Sequence, residues 1–240
     1  ADTVEIQDSA TYNEGNLSAI RASLTIKAGT DPSTGSPYKP ILDGGGTLAC
    51  AIKFYNYWTI DGLTITNYTG TVLNGAGLVA VSSFRQVTIR NCTLYNLPAD
   101  AISDLKNGSI VDNCRIYNIH TGANPRGIDA GSQRATITQC LIYDVKGDGI
   151  QCTPAGGVIK QCTLYNVSYN ALGGSYGILA TLGTVQHCIV VDPNHRINDS
   201  ALRAANTSYN CVSGSEGSTS GNFYNGAGTG DISSDPLINS

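Results

Sequence analysis

Asp100, Arg126, Asp129 and Asp148 are the residues of this 240-residue chain whose types and spacing are best suited to chemistry. Two carboxylates placed either side of a glycosidic bond can hydrolyse it, one as acid and one as base. A carboxylate beside a guanidinium has another use: it can hold a calcium ion or the carboxylate of a uronic acid. Proton abstraction next to such a carboxylate needs a base, and His120, Lys146 and Arg126 are the local choices. Arg126 follows Asp100 by 26 residues and precedes Asp148 by 22. One helix or strand does not span such distances, so a repeating backbone must bring these residues together.

The repeat is visible. Residues 58–67 read WTIDGLTITN, 87–96 VTIRNCTLYN, 109–118 SIVDNCRIYN, 135–144 ATITQCLIYD, 157–166 GVIKQCTLYN and 183–192 GTVQHCIVVD. A degraded seventh copy, NTSYNCVS, covers 206–213. Leu63 and then Cys92, Cys114, Cys140, Cys162, Cys188 and Cys211 fill one slot, at steps of 29, 22, 26, 22, 26 and 23 residues. A period in the low twenties with drifting length marks a solenoid.

Each copy holds two short alternating runs either side of a bend. Val87 and Ile89 share a parity, Arg90 and Asn91 interrupt, and Cys92 and Leu94 share the next; period two means strand. The bend column reads Gly62, Asn91, Asn113, Gln139, Gln161, His187 and Asn210. Gly and Asn tolerate the left-handed backbone of a sharp corner; Gln and His are less expected there. A third strand lies between copies, centred on Ile52, Val79, Ile102, Ile128, Ile150, Ile178 and Leu202. Small residues precede several of these, as in Gly127-Ile128 and Gly149-Ile150. The spacing therefore predicts an all-β, right-handed parallel β-helix of three short strands per coil and about seven coils, one domain over 1–240. Leu24 to Ile26 and Ile41 to Asp43 read as an earlier coil, 1–23 as an N-terminal cap and 214–240 as an irregular C-terminal segment.

Coils stacked at about 4.8 Å make the cysteines one inward column with parallel Cβ vectors, farther apart than a disulfide wants. They read as small buried hydrophobes that stay reduced. Tyr95, Tyr117, Tyr143 and Tyr165 form an outward column, read as a stabilising ladder, a platform for sugar rings or a face buried in a trimer.

Aligning coils on the third strand puts Asp100, Arg126, Asp148 and Tyr176 in one column, and Ser103, Asp129, Gln151, Leu179 and Arg203 in an outward one. Asp100 and Asp148 then stand about 9.6 Å apart from strand spacing, near the upper end for inverting glycoside cleavage. Arg126, Asp129 and Asp148 form the candidate catalytic set, with Asp100, His120, Lys146, Gln151, Tyr176 and Arg203 around it to touch substrate. An alternating Asp-Arg-Asp ladder is also self-neutralising and needs no substrate. The preceding loop varies most, short at 97–99 and 145–147 and long at 119–126, 167–176 and 193–200, and variable loops on a rigid core carry function.

Composition narrows the classes. Charged residues are 13%, hydrophobic residues 41% and the net charge −4, which exclude disorder and leave no basic stripe for nucleic acid. No apolar run is long enough to cross a bilayer. His120, His187 and His195 lie on different coils and suggest no zinc site. The chain has no Met and starts at Ala1, as a processed mature form or an excised fragment would.

KPILDGGG (39–46) followed by YWTIDGLTITN (57–67) resembles the opening coils of the pectate-lyase-like right-handed β-helix superfamily, and of its chondroitinase-B and alginate-lyase branch. DTVEIQDSATYNE (2–14) is similar to the usual leader, and GDISSDPLIN (230–239) to the segment after the last coil. The resemblance implies the fold, a substrate face along the third strand, and either an enzyme of acidic polysaccharides or a tailspike or adhesin module. It implies a secreted protein or one at a cell or virion surface, monomeric or homotrimeric, with polysaccharide as partner; composition argues against nucleic acid and membrane insertion, and Asp129 beside Arg126 leaves calcium as the one cofactor to weigh. The polygalacturonase set is missing: there is no paired Asp-Asp and no Gly-His-Gly. Asp192-Pro193-Asn194-His195 is similar to the Asp-Pro-His of mannuronan epimerases but carries an extra residue. Two expectations follow: a lyase or hydrolase of acidic polysaccharide, or a non-catalytic structural or receptor-binding module of a surface fibre.

Overall fold

The computed structural model describes residues 2–13, 17–18, 23–54, 57–69, 78–80, 86–103, 105, 107–120, 124–131, 133–153, 156–167, 176–192, 200–214 and 229. It is an all-β parallel right-handed solenoid. Strands at equivalent positions of successive coils pair in parallel, so three ladders run the length of the axis. Alternation sets which side chains enter. In Trp58–Asp61 and Val87–Arg90 every second residue is buried.

Register then stacks like on like. Ile60, Ile89, Val111, Ile137, Ile159 and Val185 pair in turn on the first ladder, and each is 0% exposed. On the second ladder Leu42, Ile65, Leu94, Ile116, Ile142, Leu164, Val190 and Val212 pair in turn and are all buried. Ile102, Ile128, Ile150 and Ile178 continue the pattern on the third. Burying each such side chain contributes about 1.5–3 kcal/mol.

The second ladder has nine strands. Seven are the recognisable copies, and Ile41–Asp43 is the earlier coil. The ninth, Thr11–Tyr12, lies in the stretch expected to cap the open end. There Asp2–Ile6 pairs with Leu24–Ala28, and Leu17–Ser18 with Ile52–Phe54, so these residues add one more rung to every ladder. The outer edge strand is exposed and charged, with Glu5 paired to Lys27 at 2.9 Å. Charge of this kind discourages further strand addition. Within the expected C-terminal segment the described residues are Gly214 and Thr229; Thr229 bridges to Ser208. In the last coils the third and first ladders fuse, because Tyr176–Gln186 runs through both.

The first corner is left-handed as expected at Gly62, Asn91, Asn113, Gln139, Gln161 and His187, with φ between 50° and 74°. At the last rung the corner is Tyr209, φ 55°, and not Asn210. The alignment slips by one there. Ile189 pairs with Cys211, so the slot below Cys188 belongs to Asn210. Asn210 is buried, accepts from the Cys188 N–H at 2.9 Å and donates to the Val185 carbonyl at 3.0 Å. The cysteine column is thus five long, from Cys92 to Cys188. Its thiols are free, and each contacts the carbonyl two residues back, at 3.1 Å for Cys92 and 3.2 Å for Cys140. Hydrogen bonding along the column and burial hold the Cys114 and Cys188 thiols above the ordinary range.

A second corner lies at or next to the end of five second-ladder strands, from Thr64–Thr66 to Thr163–Val167. Asn67, Asn96, Asn118, Asp144 and Asn166 have φ between 50° and 60°. Their side chains link coil to coil: the Asn118 amide donates to Asn96, and the Asn166 amide to Asp144 at 2.7 Å. Asn118→Ala is expected to lose about 1–2 kcal/mol by forcing a Cβ-bearing residue with no local hydrogen bond into this region. Asn118→Gly is expected to lose less. Urea midpoints of the two variants check the order.

Candidate functional site

Ile102–Ser103, Ile128–Asp129 and Ile150–Gln151 are third-ladder strands only two residues long. Their isoleucines fill the core, so the next residue must face out. Register therefore sets Ser103, Asp129 and Gln151 side by side, followed by Leu179 and Arg203. Backbone bonds from Ala101 N to Arg126 O and from Gly127 N to Asp148 O, both 3.0 Å, fix the second column of Asp100, Arg126, Asp148 and Tyr176.

Arg126 is the hub. Its Nη1 meets Asp129 Oδ2 at 2.5 Å, and its Nε lies 3.6 Å from Asp148 Oδ2. The longer contact is an ion pair without a hydrogen bond. Asp129 Oδ1 accepts from Gly131 N at 2.6 Å. Asp100 and Asp148 share a different task two coils apart. Asp100 Oδ1 accepts the Arg126 N–H at 2.7 Å, and Asp148 Oδ1 the Tyr176 N–H at 2.6 Å. Both aspartates are buried, at 5% and 3% exposure, and Tyr176 at 8%. The paired carboxylates are therefore sunk in the wall and tied to the next coil. Burial pushes the Asp100 carboxyl up to about 6, with the Arg126 N–H opposing and the Asp129 charge adding.

The remaining expected residues are spread out. His120 opens into a cleft of about 590 Å³ over the second corner, beside Asn96, Asn118 and Pro98. Lys146 occupies the equivalent position one coil on, its N–H bonded to Ile119 O at 2.8 Å. The backbone of Arg203 pairs with Leu179, and its side chain lies outside the described residues, as does His195. Asp129, weighed as a calcium ligand, has both oxygens engaged. Among the described residues no three His, Cys, Asp or Glu side chains group as a metal site. The tyrosine column stacks face to face, at 5.0 Å for Tyr95–Tyr117 and 4.9 Å for Tyr117–Tyr143. Both faces of Tyr117 are thereby taken. Arg115 donates to the Tyr143 hydroxyl at 2.6 Å.

Sequence reasoning passed over Ser103 as a working residue. Its Oγ, the Arg126 Nε and the Gln151 Oε1 are closed to solvent and have no hydrogen-bond partner. Three such atoms on three successive coils, around Asp129, are unspent donors and acceptors. The sequence signal was there, as three polar residues in succession, Ser103, Asp129 and Gln151, in the outward column.

No curated protein matches the chain. Among solved structures it is similar to a trypsin-treated variant of QnrB1, a plasmid-mediated fluoroquinolone resistance protein, at 10% identity over 98% of this chain and 91% of that one. The TM-score is 0.26, too low for any inference about this chain. The family model described as the right-handed beta helix region matches residues 50–229. Parallel ladders in register along the axis agree with that match, and the chain belongs to the right-handed β-helix family.

Proposed function

We propose that the chain is a polysaccharide-interacting protein, secreted or displayed on a cell or virion surface, and that it engages glycan on the outer side of the third ladder at Ser103, Arg126, Asp129 and Gln151. The observation that carries this is the row of polar side chains on consecutive coils, of which Arg126 and Asp129 keep 27% and 17% side-chain exposure. A polymer with repeated hydroxyls suits polar side chains repeated at coil spacing. Binding is favoured over cleavage, because the two column aspartates each have an oxygen on a backbone N–H.

A folded sample titrated against a glycan panel, with and without calcium, tests this. Unsaturated uronate products and new reducing ends are followed in parallel. Retained glycan without products is the expected result. Gln151→Ala is expected to weaken it by about tenfold, the size of one hydrogen bond to a polar group in a closed site. Unsaturated products would make the protein a lyase, and reducing ends alone a hydrolase. A folded protein that retains no glycan would sink the reading.

One observation favours a second reading, a structural module of a surface fibre. Leu141, Tyr165 and Ile189 are exposed by 40%, 47% and 36% on the outer face of the second ladder. That face suits burial in a homotrimer. Sedimentation decides: a trimer supports the module, and a monomer the free glycan binder.

A further inference from the structure

We infer that a cleft at the first corner, apart from the third ladder, is a second binding site and takes an acidic sugar, with the anionic group on Lys39. The sugar class rests on the reading that the chain binds polysaccharide; the choice of an anion does not. Elsewhere this corner is tight. Gly62 and Leu63 link Trp58–Asp61 to Thr64–Thr66, and Asn91 and Cys92 link Val87–Arg90 to Thr93–Leu97. Between Leu24–Ala28 and Ile41–Asp43 the corner runs out over residues 29–40 instead. The excursion is ordered by its own bonds. Thr30 and Pro37 form an antiparallel bridge, and the N–H groups of Asp31 and Tyr38 donate to Ser36 O and Gly29 O, both at 2.9 Å. The Lys39 N–H donates to Ser9 Oγ at 3.0 Å, which ties the far end to the first rung. Turning the chain requires none of this, and added loop on a rigid core is where binding is placed.

The excursion walls a cleft of about 500 Å³, within the usual range for small-ligand sites. Tyr38 and Lys39 line it from the excursion, and Asp61, Thr64, Asn91 and Thr93 from the two coils that follow. These residues meet solvent: Lys39 and Asn91 are exposed and the other four half-buried. The Asp61 carboxylate is already engaged, with Arg90 Nε donating to it at 2.9 Å and the Asn91 amide at 2.7 Å. Lys39 makes no ion pair with any described residue, so its ammonium is the unpaired charge of the cleft. A sugar carboxylate or sulfate ester answers that ammonium. Ring hydroxyls answer Thr64 and Thr93, which pair in register and so stand one coil spacing apart. A neutral sugar makes the same hydroxyl contacts and lacks the charged one.

The test titrates the full chain, at low ionic strength and without calcium, with three trisaccharides: neutral galactose, its uronate counterpart and its sulfated counterpart. An acidic sugar is expected to bind at least about tenfold tighter than the neutral one, and the tighter of the two names the anion. Lys39→Ala should remove that advantage and Lys39→Arg keep it. Thr93→Val, which preserves the β-branched shape, should weaken acidic and neutral sugars alike. Gln151→Ala, on the third ladder, should leave the titration unchanged. Equal binding of acidic and neutral sugars, or an advantage that survives Lys39→Ala, overturns the inference. An advantage lost in Gln151→Ala instead also overturns it, and moves the acidic sugar to the third ladder. Binding of none of the three overturns it too, while retention of polymer in the glycan panel still decides the third-ladder reading.

Discussion

Asp100→Asn is expected to stabilise the protein at pH 7 by about 2 kcal/mol and to flatten its stability between pH 4 and 7. Asp100 is 5% exposed, and burial, the largest influence, lifts its carboxyl from 3.8 to about 6. The folded state therefore holds a proton that the unfolded chain releases at lower pH. Stability from this group is fully present below about pH 3.8 and is lost as pH rises through about 6. Two pH units correspond to about 3 kcal/mol. Asn keeps an oxygen for the Arg126 N–H and carries no charge, but its amide N–H groups need partners, which costs part of the gain. Asp8 and Asp31 are exposed and held below the usual range by local hydrogen bonds. They lose stability as pH falls, and do so equally in both proteins. Urea unfolding of the two proteins at each pH gives the difference directly. Parallel curves would mean that the buried carboxylate ionises in the fold without cost.

Gly149→Ala is expected to cost about 3 kcal/mol. A Cβ at Gly149 would lie 2.6 Å from the Gly177 carbonyl oxygen and 2.4 Å from Leu164 Cδ2. The same holds one coil earlier, where a Cβ on Gly127 would meet the Gly149 oxygen at 2.6 Å. Leu164 can adjust its rotamer. The oxygen belongs to the backbone of the next coil, and moving it strains the ladder bonds from Gly149 N to Tyr176 O and from Ile128 N to Gly149 O. Asp148 is the adjacent residue, so glycan retention should fall with stability. A loss below about 1 kcal/mol would show that neighbouring coils separate easily at this wall.

The ladders were legible because a two-residue period writes burial into the sequence, and Ile102, Ile128, Ile150 and Ile178 pair as parity requires. The second corner was hidden by the same rule. A left-handed Asn96 resets parity, so Leu94 and Leu97 both point inward though three residues apart. That odd spacing recurs in Ile116 and Ile119, and in Ile142 and Val145. The first coil was missed because Asp2–Ile6 is exposed on nearly every residue and shows no alternation of burial. The final cysteine misled because Cys211 repeats the letter one position late. For the candidate site, columns were readable and depth was not. Whether Asp148 meets solvent or a backbone N–H depends on where the next coil's Tyr176 sits, and on loops whose shape no periodicity records.

Asn210 sets a limit on how such a molecule can change size. Between Cys92 and Cys188 every coil presents the same thiol slot to the coil above and below, so duplicating or deleting one whole unit leaves its neighbours with familiar contacts. Below Cys188 the slot is filled by an amide whose oxygen and nitrogen are both committed to the preceding coil. A coil inserted there would find no matching surface. Duplication of a whole coil therefore fits between Cys92 and Cys188 and not between Cys188 and Asn210.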